Sequence, residues 1–412
     1  MKNFLKDWKY PLLLLSGVGI ANLGAWIYLI ALNVLVYHMG GSALAVAALY
    51  VIKPLATLFT NAWSGSMIDR LNKRKLMIHL DIYRALFIAI LPLLPSLWIV
   101  YVFVFFISMA SAIYEPTAMT YMTKLIPVEQ RQRFNSLRSL IGSGAFLIGP
   151  AIAGVLLIAS TPEIAIYINA IAFLLSGFTT LLLPNLDKKE ASDTTSNTLS
   201  LTVLKKDWNT VINFSRKHVY VVCVYFLFQS MFVLATATDS LELSFAKEVL
   251  LLTDSEYGFL VSIAGAGFIL GAITNTILSK KLAPSLLIGI GSLFITIGYL
   301  IYAFSNVFLI AAIGFFILSF SMAYANTGFY TFYQNNVPVH IMGRIGSIYG
   351  LVIAGITILI TILFGVATQF ISIQLVVIVG SLVMLLITII LCVFTLLPSH
   401  SKVHSSESIN SK

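Results

Sequence analysis

The chain is predicted to be an all-α integral membrane protein, with twelve transmembrane helices in two pseudo-symmetric six-helix bundles. Three observations lead there. Its 412 residues are 59% hydrophobic and 10% charged, whereas about a quarter of a soluble domain is charged. Its apolar runs are continuous, and each approaches or exceeds the ~20 residues that cross a bilayer as a helix; a membrane barrel would alternate instead. The second half also repeats the first. Pro127-Val128 returns as Pro338-Val339, and Arg133, Ser136, Leu140, Gly144 and Gly154 return as Arg344, Ser347, Leu351, Gly355 and Gly365, each 211 positions on.

The spans are expected at 11–37, 42–64, 76–96, 98–122, 137–160 and 163–184, then at 217–238, 255–279, 283–303, 306–331, 345–369 and 372–397. The first apolar run, from Pro11 to about Tyr37, is longer than a signal-peptide core and reads as a span. This divides the chain into an N-terminal bundle at 1–184, a linker at 185–216, a C-terminal bundle at 217–398 and a polar, Ser-rich tail at 399–412. The linker opens Ser/Thr-rich. From Leu201 to Phe214 it has apolar residues at helical spacing, as a helix lying along a membrane surface would.

The formal charge of +9 does not indicate nucleic acid, because the basic residues lie in loops on one side. Arg70, Lys73, Arg74 and Lys75 begin that set, and Lys124, Arg131, Arg133, Arg138, Lys188, Lys189, Lys205, Lys206, Arg216, Lys217, Lys280, Lys281 and Arg344 continue it. The opposite loops hold acids with the single cation Lys247. By the positive-inside rule both termini are expected to be cytoplasmic; the expected location is the cell membrane. Cys223 and Cys392 sit inside apolar runs, so no disulfide framework is implied. The six histidines are scattered and there is no phosphate-binding glycine loop, so no metal, cofactor or enzymatic activity is expected.

Between the second and third runs, Gly65 to Lys75 reads G-x-x-x-D-R followed by a basic cluster, with Asp69 and Arg70 as its charged pair. In the fifth run, Ala145-x-x-x-Gly149-Pro150-x-x-Ala153-Gly154 places small residues and a proline at helical spacing. Small residues let membrane helices approach closely, and proline removes a backbone donor. The first pattern resembles the signature loop of the major facilitator superfamily, and the second its antiporter motif, with alanine at two glycine positions. Asp81 and Arg84, spaced D-x-x-R, resemble the macrolide-efflux and enterobactin-exporter-like branch. The resemblance implies that Gly65, Asp69 and Arg70 form a gating loop and that Gly149, Pro150 and Gly154 mark an exporter. Asp81 with Arg84 is then a structural ion pair or part of a gating network. The basic residues Lys73, Arg74 and Lys75 read as topology signals.

Glu115 lies about two helical turns inside the fourth span. An ionisable side chain at such depth is costly and marks a proton or substrate site by default; a structural ion pair or a protonated packing residue is the alternative. Ser108, Ser111, Met119 and Met122 share its face. Lys53, mid-span before Pro54, is an intramembrane cation that either pairs with Glu115, meets an anionic substrate or snorkels. Asp239 and Glu242 follow the seventh span on the outer side and read as solvated, with proton entry as the second reading. The resemblance further implies a cavity lined by helices one, four, seven and ten, hence by Asn22, Trp26, Met119, Tyr225, Gln229, Phe232, Asn326 and Tyr330. Such an aromatic lining suits a small amphipathic molecule. The expected activity is export of a drug, siderophore or metabolite by proton-coupled antiport. An uptake symporter or facilitator and a non-transporting sensor are the alternatives. The expected partners are the small-molecule substrate, protons and the lipid bilayer; nothing in the sequence fixes an oligomeric state, and a monomer is compatible.

Overall fold

The computed structural model describes residues 8–61, 64, 68, 71–187, 201–278 and 282–396. Among them every regular element is helical. The elements are α1 (Lys9–Gly40), α2 (Ala43–Asn61), α3 (Lys73–Ile90), α4 (Leu97–Leu125), α5 (Val128–Ala159), α6 (Pro162–Leu181) and α7 (Leu201–Lys217). They continue as α8 (Val219–Asp239), α9 (Glu242–Glu248), α10 (Asp254–Leu278), α11 (Pro284–Ala303), α12 (Phe308–Asn336), α13 (Val339–Ala367) and α14 (Ile373–Leu396). All but α7 and α9 are long and apolar enough to cross a membrane, twelve in number among the described residues. Lipid supplies no hydrogen-bond partner to an open backbone, so a chain this apolar closes its own bonds as helices.

Local chemistry sets the ends. Gly41 takes the left-handed conformation (φ 60°) and donates its N–H to Tyr37 O at 2.8 Å, ending α1. Asn72 caps α3 by accepting from Lys75 N at 3.0 Å. A short 3-10 turn with Pro92, Leu91–Leu93, finishes that span. The helices α5 and α13 begin directly after Pro127 and Pro338, ahead of the expected starts at 137 and 345. Hydropathy sees where apolar residues begin, but proline sets where the helix begins, so both polar first turns are helical. The short helix α9 leaves no signal in the sequence, because seven residues are too few to display a period.

The chain forms two compact units. One comprises residues 1–194, 240–265 and 361–373; the other comprises 195–239, 266–360 and 374–412. In the first, α1 packs on α5 and α6, and α3 packs on α6 and α4. Trp8, Leu15, Met77, Tyr121, Met122 and Phe134 form a buried cluster there. In the second unit α11 and α12 make the tightest pair. A methyl group on Gly298 would lie 2.7 Å from both Leu318 N and Leu318 Cβ and 2.8 Å from Gly314 O. Glycine is required at this crossing because backbone occupies the space its side chain would take.

Gly298→Val therefore has no room, and overpacking costs about 1–3 kcal/mol. The expected result is a clearly lower thermal unfolding midpoint in detergent. Gly355→Ala, with nothing within 4 Å of the added carbon, should not lower the midpoint, since alanine is the better helix former.

Candidate functional site

The expected gating residues Gly65, Asp69 and Arg70 lie outside the described residues. The segment next in the chain is tied down by hydrogen bonds. Asn72 Nδ2 donates to Asn185 Oδ1 at 2.7 Å, and Lys73 N donates to Asp187 Oδ2 at 2.5 Å. Lys124 Nζ reaches the other Asp187 oxygen at 2.8 Å. The Arg74 guanidinium donates to Thr180 O and Leu181 O at the end of α6, where a cation offsets the exposed carbonyls of a helix terminus. Lys73 and Arg74, read from sequence as topology signals, thus also fasten α3 to the α6 terminus. Their acceptors are backbone carbonyls and Asp187, and no local pattern announces such partners. Burial would raise the Asp187 carboxyl, but the hydrogen bond from Lys124, the backbone N–H of Lys73 and the two nearby charges outweigh it and hold it below its ordinary value.

Asp81 and Arg84 form an ion pair one turn apart on α3, both buried. Ser176 Oγ on α6 donates to the second Asp81 oxygen at 3.1 Å. The guanidinium sits over the Tyr114 ring of α4 at 4.1 Å and the Phe173 ring of α6 at 4.2 Å. Three helices therefore converge on one pair, and desolvated cation–π contacts of this kind contribute ~2 kcal/mol.

Glu115 follows Tyr114 immediately, yet its environment differs. Its side chain is 73% uncovered by protein, and Arg138 Nη2 of α5 lies 3.7 Å from Glu115 Oε2. Among the described residues its ion-pair partner is Arg138, not Lys53. Lys53 is itself exposed on α2. Met119, one turn from Glu115, is exposed, whereas Met122 on the same face is buried in the core cluster.

The motif of the fifth span lies between two helices. On one side a methyl group at Gly149 would be 2.5 Å from Trp26 Cβ, and the Trp26 ring stacks on Phe146 at 4.3 Å. On the other side Gly154 meets α10, where a methyl group on Gly258 would be 2.8 Å from Gly154 Cα and from Pro150 O. Pro150 leaves the Phe146 carbonyl without its usual helical donor. One residue along, Ser262 Oγ donates to Leu147 O at 2.6 Å. Gly265 packs against the same turn. Gly258, Ser262 and Gly265 are partners that sequence reasoning missed; their small side chains at steps of four and three in α10 were the available signal.

The remaining expected lining residues fall in separate units. Asn22 faces Gly142 where α1 meets α5, and Trp26 is packed as described. In the second unit Tyr225 is buried among Tyr349 at 5.0 Å, Phe329 at 5.6 Å and Tyr333 at 5.8 Å. Phe228 stacks on Phe329 at 4.1 Å and links to Phe232 at 5.1 Å. Gln229 and Asn326 are half-buried, and Tyr330 is exposed at the edge of this group. Asp239, read from sequence as solvated, is half-buried and accepts the Tyr299 hydroxyl at 2.7 Å; span periodicity alone does not reveal that α11 approaches the end of α8.

Two measurements test these assignments. Arg84→Leu should destabilise the fold by about 3–5 kcal/mol, because it strands a buried carboxylate. Adding Asp81→Asn in the same chain should restore most of that loss, measured as a double-mutant cycle. For Asp187 the folded carboxyl lies below the unfolded one, so its stabilisation is complete above the unfolded value of about 4 and is lost as pH falls through the folded value. The thermal advantage of wild type over Asp187→Asn should therefore be constant near neutrality and shrink toward zero on acidification.

The sequence matches the family model of the Major Facilitator Superfamily over residues 14–361. An uncharacterized MFS-type transporter of Bacillus subtilis (strain 168), YfiS, is 28% identical over 207 residues, 50% of this chain and 50% of that one. The match thus spans about half the length of that relative. Among solved structures, the nucleoside transporter NupG superposes with a TM-score of 0.74 at 13% identity, over 93% of this chain and 98% of its own. A POT family transporter in complex with a thioalcohol conjugated peptide gives 0.75 at 14% identity, over 93% and 96%. A bacterial homolog of the human lysosomal transporter Spinster gives 0.70 at 13%, over 94% and 96%. At these identities the likeness is one of fold alone. The family match over most of the sequence, on a chain with twelve candidate spans among its described residues, establishes that it belongs to the Major Facilitator Superfamily.

Proposed function

We propose that the protein is a secondary active transporter of the cell membrane, with both termini cytoplasmic, that exports a small amphipathic molecule by proton-coupled antiport with alternating access. The observation that carries this reading is Glu115. It is an acid within a membrane span, largely uncovered by protein, and Arg138 at 3.7 Å is a loose counter-charge. A pair at that separation gives up little hydrogen-bond energy when the carboxylate takes a proton. Protonation would then free Arg138, and a neutral Glu115 would favour a different arrangement of α4 against α5.

The resemblance of the motif around Gly149-Pro150 to the family's antiporter motif supports export; the same helix, α5, carries Arg138 and the crossings with α1 and α10. A shift at Glu115 would thus act on a helix already held by close backbone packing. The candidate substrate-binding residues are Tyr225, Gln229, Phe232, Asn326 and Tyr330 in one unit and Asn22, Trp26 and Met119 in the other. The loop carrying Gly65, Asp69 and Arg70 would bias the two access states, and a ligand would shift them only by its differential affinity.

The test uses inside-out membrane vesicles with an acid interior, a pH-sensitive dye, and candidate drugs and siderophores added to wild type and to Glu115→Gln. Wild type should dissipate the gradient on addition of a substrate, and Glu115→Gln should not. An equal response from both would remove Glu115 as the coupling acid. Transport of labelled substrate with no dye response in either would make the protein a facilitator.

A further inference from the structure

Helix α7 has three faces of different character. Val211 and Phe214 are buried. Asn209, Asn213, Arg216 and Lys217 are exposed and polar. Between them lie Trp208, 43% exposed, and Ile212, 41% exposed, one turn apart. The roll of the helix is fixed, because Ser215 Oγ lies 2.6 Å from the Tyr349 hydroxyl of α13 and Val211 and Phe214 are buried on that side. The helix cannot turn its Trp208–Ile212 flank inward without breaking that hydrogen bond and exposing Val211 and Phe214.

The position of the flank is equally constrained. A single residue, His218, separates α7 from the span α8, and Val219, the first residue of that span, is itself exposed. The charge is one-sided too. The sequence of α7 holds Lys205, Lys206, Arg216 and Lys217 against a single acid, Asp207. Arg216 follows Ile212 by one turn, so an exposed cation borders the apolar pair.

We propose that α7 is a docking surface for the anionic face of a phospholipid bilayer, with Trp208 and Ile212 entering the headgroup boundary and the exposed Arg216 and Lys217 attracted to anionic headgroups. An amphipathic helix with an aromatic–aliphatic flank and basic borders gains from both apolar burial and attraction to anionic lipid. Continuity with α8 places it at the surface of the same membrane. A soluble partner protein or a second copy of the chain would need no such placement and no excess of cations.

The experiment uses the full chain in vesicles, in a Cys223→Ser/Cys392→Ser background. A nitroxide is attached at Ile212→Cys and, separately, at Asn213→Cys. In vesicles of phosphatidylcholine with phosphatidylglycerol, the probe at 212 should collide more with oxygen than with a water-soluble nickel chelate, and the probe at 213 should do the reverse. In phosphatidylcholine alone, which has no net charge, access of the chelate to 212 should rise, by about fivefold for each cation deprived of an anionic headgroup. Free chelate access at 212 in the anionic vesicles would overturn the proposal. So would identical access in both lipids, and so would shielding of both probes from both quenchers, which marks a protein partner or second copy. Where a labelled chain does not insert, the emission difference between wild type and Trp208→Phe reports the same residue. A blue-shifted, iodide-resistant difference spectrum in anionic vesicles supports docking, and a red-shifted, quenchable one overturns it.

Discussion

Close approach of backbone to backbone is the constraint on which this fold depends. Membrane helices gain little from burying apolar surface against one another, because lipid tails are as apolar as their side chains. What they can gain is dense packing, and that requires the absence of side chains at the crossings. Gly298 against Gly314 and Leu318 fixes α11 on α12, Gly149 against Trp26 fixes α5 on α1, and Gly154 against Gly258 fixes α5 on α10. In each case the space for a Cβ is taken by a neighbouring main chain or by the first carbon of a side chain. Dispersion over such surfaces is small for each atom pair and large in sum.

Polar chemistry adds ties of its own between the helices. Asp81, Arg84 and Ser176 share one dry pocket, walled by Tyr114 and Phe173. Glu115 and Arg138 share a wet or lipid-facing one, although Tyr114 and Glu115 are adjacent in sequence. Successive residues of a helix point about 100° apart, so neighbours in the chain can occupy opposite environments. The buried pair suits a fixed strut, and the loose pair suits a switch.

Most of the fold was legible in the sequence because its determinants are local and repetitive. Length and apolarity of the runs decided the twelve spans, and proline placement would have corrected the starts of α5 and α13. The pair Asp81–Arg84 was legible as i, i+3 spacing, and the Gly149–Pro150 motif as a run of small residues. Asp187 was not legible, since its role comes from Lys73 and Lys124, which are distant in sequence. Nor was the Tyr299 hydroxyl on Asp239, nor Ser262 on the Leu147 carbonyl. Each of these depends on which helix becomes a neighbour, and hydropathy carries no record of neighbours. Pairing of Glu115 with Arg138 rather than Lys53 is of the same kind.

The sandwich around Arg84 bears on how the protein is made. A ribosome delivers α3 to the membrane well before α6, and a charged side chain near mid-helix costs a few kcal/mol at insertion. Asp81 can neutralise Arg84 within α3 at once, being on the same helix. The α6 side of the pocket comes later: Ser176 lies 95 positions beyond Asp81, and Phe173 precedes it by one turn. During biogenesis the third helix therefore waits, half-satisfied, for the sixth. Its final seat depends on a helix made later as well as on its own hydrophobicity.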